Sequence, residues 1–177
     1  AGGEAAEVHT PADQAGGVVG VLARVGHQGV AARRHDRLAE HAPAGIGDQV
    51  GAEALQRGHM AGGRGLLVHG AAGGIGTSTL RIAPALGAAR TIAVVSTAEK
   101  AEVARAAGAS DVVLADGFKD AVKELTGGRG VDIVLDPVGG DRVTDSLRSL
   151  APGGRLLVVG FTGGDIPTVK VNRLLLN

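Results

Sequence analysis

The sequence predicts an α/β fold, a doubly wound parallel sheet, over residues 62–177, with a poorly structured segment before it. Three observations carry this expectation. Short apolar runs alternate with helix-like stretches all the way from Gly65 to Gly160. Each run is nearly continuous in apolar residues, as in strands covered on both faces. The first run leads into a glycine-rich turn, Gly70-Ala71-Ala72-Gly73-Gly74-Ile75-Gly76, and a helical pattern leaves it.

The elements follow in order. Leu66 to His69 read as a buried strand, and Ile75 to Leu86 as a helix with Ile75, Leu80, Ile82 and Leu86 as core positions. Pro84 removes a helix hydrogen bond and should shorten the last turn, and Gly87 ends it. Thr91 to Val95 are a second strand. Ala98 to Ala107 are a second helix, capped by Ser96 or Thr97 and stopped by Gly108. Asp111 to Ala115 and Phe118 to Leu125 give a third pair, closed by Gly127 to Gly130. Val131 to Leu135 form the fourth strand, ending in Asp136-Pro137-Val138-Gly139-Gly140, and Arg142 to Leu150 the fourth helix, ended by Pro152-Gly153-Gly154. Arg155 to Gly160 form the fifth strand. Right-handed crossovers then produce a Rossmann-type sheet with its ligand at the carboxyl ends of the strands. A sixth strand is expected to lie outside this sequence, so the domain reads as C-terminally truncated.

Residues 1–61 differ in kind. Ala1 to Met60 contain no Lys, Asn, Ser, Phe, Tyr or Trp, and hold five of the six histidines: His9, His27, His35, His41 and His59. Gly16 to Ala23 fit a strand and Arg33 to His41 a helical turn or two. With so few large apolar side chains, little burial offsets the entropy of ordering the segment. Low-complexity disorder is one reading. The product of a shifted reading frame in a GC-rich gene is another. The histidines show no paired i, i+4 spacing, so solvated histidine is favoured over a metal site.

Composition narrows the function. At 177 residues the chain suits one domain or one domain with an appendage; 44% of it is hydrophobic and its net charge is zero. Zero net charge gives no electrostatic footprint for nucleic acid or an anionic membrane. There are no cysteines, so disulfides, thiolate catalysis and cysteine zinc sites are all absent. No apolar run is long enough to span a membrane. A cytoplasmic enzyme or binding module is expected.

The glycine turn carries the chemistry. In a chain with 31 glycines the spacing of Gly70, Gly73 and Gly76 says little alone. Between a strand and a helix it is a variant of the dinucleotide fingerprint, where the backbone approaches a pyrophosphate and helix N–H groups point at it. The second strand ends Val94-Val95-Ser96-Thr97-Ala98-Glu99-Lys100. An acidic residue at that tip would favour NAD. Two hydroxyls and a lysine stand there instead, which suits the 2′-phosphate of NADPH over NADH. The alternative is that Ser96 only caps a helix and Lys100 is a surface charge. His69, on the strand leading into the phosphate turn, is given a packing or backbone-bonded role rather than that of a catalytic base.

These strings, with Ala106-Ala107-Gly108-Ala109, Gly154 to Phe161 and the tail Ile166 to Leu176, resemble the cofactor domain of the medium-chain dehydrogenase/reductase superfamily. The match is most similar to its zinc-independent NADPH:quinone oxidoreductase branch. The resemblance implies that Gly70, Ala71, Ala72, Gly73, Gly74, Ile75 and Gly76 hold the pyrophosphate. It implies that Ser96, Thr97 and Lys100 hold the 2′-phosphate, and that Val138, Gly160 and Phe161 line the nicotinamide. Hydride would pass to a quinone or another electrophilic acceptor, with no metal, and two copies would pair through a sheet edge as a homodimer. Family members carry a separate catalytic domain that Ala1 to Met60 do not resemble, so catalytic residues are not placed. A nucleotide-binding module without turnover, or an inactive fragment, is the rival reading. Short-chain dehydrogenases need a tyrosine that this chain lacks, and a methyltransferase would want a carboxylate where Ser96 stands.

Overall fold

The computed structural model describes residues 20–23, 45–164 and 166–170. Six strands form one sheet: β1 (Gly20–Ala23), β2 (Arg64–Val68), β3 (Ala88–Val95), β4 (Asp111–Leu114), β5 (Val131–Asp136) and β6 (Leu150–Val158). Their order is β1-β6-β5-β2-β3-β4, and every neighbouring pair is parallel. The helices are α1 (Ile46–Arg57), α2 (Gly74–Ile82), α3 (Glu99–Ala106), α4 (Phe118–Leu125) and α5 (Val143–Arg148).

Alternation along each strand splits the core in two. On one face Leu66, Val68, Ala93, Val95, Ile133, Leu135 and Leu157 pack under α1, α2 and α3. On the other, Leu67, Ile92, Val94, Val134, Leu156 and Val158 pack under α4 and α5. This is the doubly wound architecture expected. The chain leaves β2 in one direction to make β3 and β4, and returns on the other side to make β5 and β6. The strand order therefore reverses between β2 and β5, the point where sheets of this kind place their ligand crevice, outside the carboxyl ends of the strands.

Several expectations are corrected. Pro84 does more than shorten a turn: α2 stops at Ile82, and Pro84–Leu86 is a 3-10 turn with the proline in its first positions, where no N–H is needed. Neither Ser96 nor Thr97 caps α3; the N-cap is Ala98, with no side-chain cap bond. Pro152-Gly153-Gly154 does not end α5, which stops at Arg148. The tripeptide lies within an irregularity of β6, where Pro152 and Gly153 bulge outward and Gly154 is already buried, since Val131 pairs with Leu150 but Ile133 pairs with Arg155. The strand beside β6 is supplied from the N-terminal segment by β1, within the range read as Gly16 to Ala23. The suggested turn at Arg33 to His41 lies outside the described residues.

Helix α1 went unread in the sequence. Its Leu55 is fully buried and Ala54 nearly so, and both belong to the core beneath α2 and α3. Close approach replaces bulk: a Cβ on Gly51 would lie 2.6 Å from Thr79 Oγ1, and one on Gly47 3.0 Å from the Gly74 carbonyl oxygen. Arg155 Nη1 donates to the Gly58 carbonyl at 2.9 Å, placing a cation at the C-terminal end of α1.

Candidate functional site

Four loops meet at the carboxyl end of the sheet, after β2, β3, β5 and β6. The loop after β2 turns sharply at Gly70, whose φ of +56° lies in the left-handed region. Gly73 N donates back to Gly70 O at 2.9 Å, and Ala71 N to Val94 O at 3.2 Å, so the turn is tied to β3. Ala71 is fully buried, while Gly73 and Gly74 are exposed. The first bond of α2 runs from Thr77 N to Gly73 O. The amides of Gly74, Ile75 and Gly76 precede it and form the electropositive end of the helix.

Gly76 lets the helix press against its own turn. A Cβ there would sit 2.4 Å from Gly70 O and 2.6 Å from Ala71 Cα. Nothing lies within 4 Å of a Cβ placed on Gly74, so the outer side of the turn is open. An exposed turn, a tightly docked helix and unbonded amides fit the pyrophosphate of a dinucleotide.

At the tip of β3, Ser96, Thr97, Ala98, Glu99 and Lys100 are all exposed. Lys100 Nζ donates to Ser96 Oγ at 3.0 Å, so the ammonium and the hydroxyl are already side by side. The Thr97 hydroxyl bonds the Glu99 carboxyl and holds it below the usual carboxylate range. Glu99 is exposed and bonded to its neighbour at the strand tip.

Across the crevice, the loop after β5 faces Gly70. A Cβ on Gly70 would meet Val138 Cγ2 at 3.1 Å and Pro137 Cγ at 3.5 Å. The loop after β6 closes on the same segment: Gly163 N donates to Val138 O at 2.8 Å, and Thr162 N and Oγ1 donate to Pro137 O at 3.2 and 3.1 Å. A Cβ on Gly160 would lie 3.0 Å from Pro137 O. Phe161 is partly buried against the α4–α5 core. The structure therefore brings Gly70 to Gly76, Val138 and Gly160 to one crevice. Ser96, Thr97 and Lys100 stand at its β3 end.

Two buried polar side chains beneath these loops were not assigned a site role from the sequence. Asp136, the last residue of β5, is fully buried; its Oδ1 accepts from Val138 N at 2.8 Å and Gly139 N at 2.9 Å. His69 is also fully buried, packed edge-on against Phe118 with ring centroids 4.8 Å apart. Ser146 Oγ donates to Arg142 O at 3.0 Å, which leaves His69 Nε2 as the donor in its 2.8 Å bond to Ser146 Oγ. Burial lowers the His69 pKa to about 4; the nearby Asp136 charge acts against that and Arg142 with it. A neutral, enclosed imidazole is a packing group, as the strand position implied. Asp136 follows an apolar run and precedes Pro-Val-Gly-Gly, a pattern that signals an Asx-type turn.

Among the described residues no group of three His, Asp or Glu side chains converges as a metal site, and no helix is long and apolar enough to cross a membrane.

Comparison with known proteins follows the same outline. The family model described as zinc-binding dehydrogenase matches residues 74–177. The chain is 46% identical over 113 residues to quinone oxidoreductase-like protein 2 of Rattus norvegicus, covering 63% of this chain and 32% of that protein. It is 40% identical over 108 residues to the 2-haloacrylate reductase of a Burkholderia species, covering 60% and 32%. Among solved structures, Escherichia coli quinone oxidoreductase complexed with NADPH superposes with a TM-score of 0.65 at 34% identity, over 72% of this chain and 40% of that one. The chain thus spans about a third of the length of the curated relatives it matches.

Proposed function

The chain belongs to the zinc-binding dehydrogenase family, as a quinone oxidoreductase-like cofactor domain of the medium-chain dehydrogenase/reductase superfamily, and from that premise we propose that it binds NADPH along the crevice between β2 and β5. The observation that carries this reading is the Gly70–Gly76 turn, docked so closely that only glycine fits at position 76, with the free amides of α2 beside it. In this proposal those amides hold the pyrophosphate, and Ser96, Thr97 and Lys100 hold the 2′-phosphate. Val138, Gly160 and Phe161 face the nicotinamide. The proposed cofactor domain covers residues 62–177, with β1 and α1 added to its sheet and core from the segment before it.

NADPH, when bound, supplies a hydride equivalent from its nicotinamide to an electrophilic acceptor. The chain's own part is orientation. The β5 and β6 loops fix one wall of the crevice, and the turn after β2 fixes the other. A quinone or an activated alkene is the proposed acceptor class; relatives named quinone oxidoreductase-like and 2-haloacrylate reductase support that breadth. Zinc independence belongs to the same proposal, supported by a sequence with no cysteine to offer as a thiolate ligand. A cytoplasmic location and a homodimer are carried over from the resemblance as part of it.

Fluorescence titration with NADPH and NADH tests the reading. NADPH should bind more tightly than NADH, and Lys100→Ala should weaken NADPH about tenfold while leaving NADH within about twofold, one lost charge-assisted contact to phosphate. Equal affinity for the two cofactors, or no effect of Lys100→Ala, would remove the 2′-phosphate assignment. A module that binds without turnover is the second reading. It is favoured if NADPH binds and quinone acceptors do not oxidise it.

A further inference from the structure

We infer that Asp136 is a positioning residue for the nicotinamide half of the dinucleotide, its carboxylate holding the Pro137–Gly140 loop as one wall of the crevice. The inference rests on the NADPH reading above and deepens it. Asp136 ends β5 at the point where strand order reverses, next to β2 and the Gly70 turn. It is fully buried, and one carboxylate oxygen, Oδ1, accepts both Val138 N and Gly139 N. Two amides converging on one oxygen fix the first turn of the loop. That turn sets Val138 within van der Waals reach of Gly70 and presents the Val138 carbonyl to Gly163 N at 2.8 Å. One side chain thereby joins the loops after β2, β5 and β6.

The arrangement is costly in stability terms. Among the described residues, Asp136 Oδ2 and His69 Nδ1 are both buried with no hydrogen-bond partner. A buried carboxylate with one oxygen unbonded is disfavoured. Such a cost at the floor of the crevice marks the loop's shape as the property being held. The lever acts at the β5 side, whereas the adenosine end of the ligand would lie at the tip of β3, on the far side of β2. Asp136 should therefore govern the nicotinamide end alone.

The test uses the full chain as wild type, Asp136→Ala and Asp136→Asn. Each is titrated with NADPH and with adenosine 2′,5′-bisphosphate, the adenine half alone, and amide hydrogen exchange is followed at Val138 and Gly139. Asp136→Ala should weaken NADPH about tenfold or more, leave the bisphosphate within about twofold, and speed exchange at both amides. Asp136→Asn keeps an oxygen acceptor for both amides and should restore NADPH binding and slow exchange. Equal loss of both ligands in Asp136→Ala would show general damage and overturn the inference. So would unchanged NADPH affinity, or failure of Asp136→Asn to rescue. A wild-type chain that binds neither ligand overturns the NADPH reading first and the inference with it, a result distinct from one confined to the variants.

Discussion

An alanine at position 76 would bring its Cβ to 2.4 Å from the Gly70 carbonyl oxygen, a distance that no backbone there can relieve without moving the turn. Gly76→Ala is therefore expected to cost about 1–3 kcal/mol in overpacking, read by urea denaturation, and to abolish NADPH binding. Gly74→Ala meets nothing within 4 Å and should leave stability nearly unchanged, a control on the same helix end. His69 carries a second expectation. Its folded pKa of about 4 lies below the ordinary value of 6.5 because burial disfavours the charged ring. Between those values the unfolded chain binds a proton that the folded chain does not. The His69 contribution to stability should therefore be level above about pH 6.5 and decline with acid until the folded pKa is passed. His69→Gln keeps a donor for Ser146 and cannot titrate; its denaturation midpoint should vary less over the same range. An identical pH slope in the variant would assign the acid sensitivity to other groups.

Elements were legible where apolar runs and punctuation agreed. Strands β2, β3, β4 and β5 stand within a few residues of their sequence limits because short, nearly continuous apolar runs admit little else, and helix α4 because Gly117 and Gly127 bracket it. The end of α5 was misplaced because Pro152-Gly153-Gly154 looks like a stop, yet a strand can carry such a tripeptide within an irregularity. Helix α1 was missed for a different reason. Its contact with α2 depends on small residues, Gly47 and Gly51, and only Leu55 adds a large side chain to the core. Small-residue packing leaves almost no hydrophobic period to read. The contact makes its own prediction. Gly51→Ala should loosen α1 from α2, since its Cβ would lie 2.6 Å from Thr79 Oγ1, and Thr79→Ala in the same chain should recover part of the loss. Strictly additive losses in the denaturation midpoints of the double variant would show that the two positions do not meet.

At the scale of the molecule, one parallel sheet with a reversal of strand order between β2 and β5 places all the candidate site residues at one end of the sheet. The backbone geometry of the glycine turn was legible because it is written in local sequence. The role of Asp136 was not, because it depends on a three-way meeting of loops far apart in the chain. His69 and Ser146, 77 residues apart, make the same point: only folding brings them within 2.8 Å. The central claim is that this crevice, and not another surface, receives NADPH. The most direct test is a titration of the isotopically labelled chain with NADPH, followed residue by residue in amide NMR spectra. Shifts gathered at Gly70 to Gly76, Ser96 to Lys100 and Val138 to Gly140 are the expected result. Saturable binding that leaves those amides unmoved, or the absence of binding, would contradict the account.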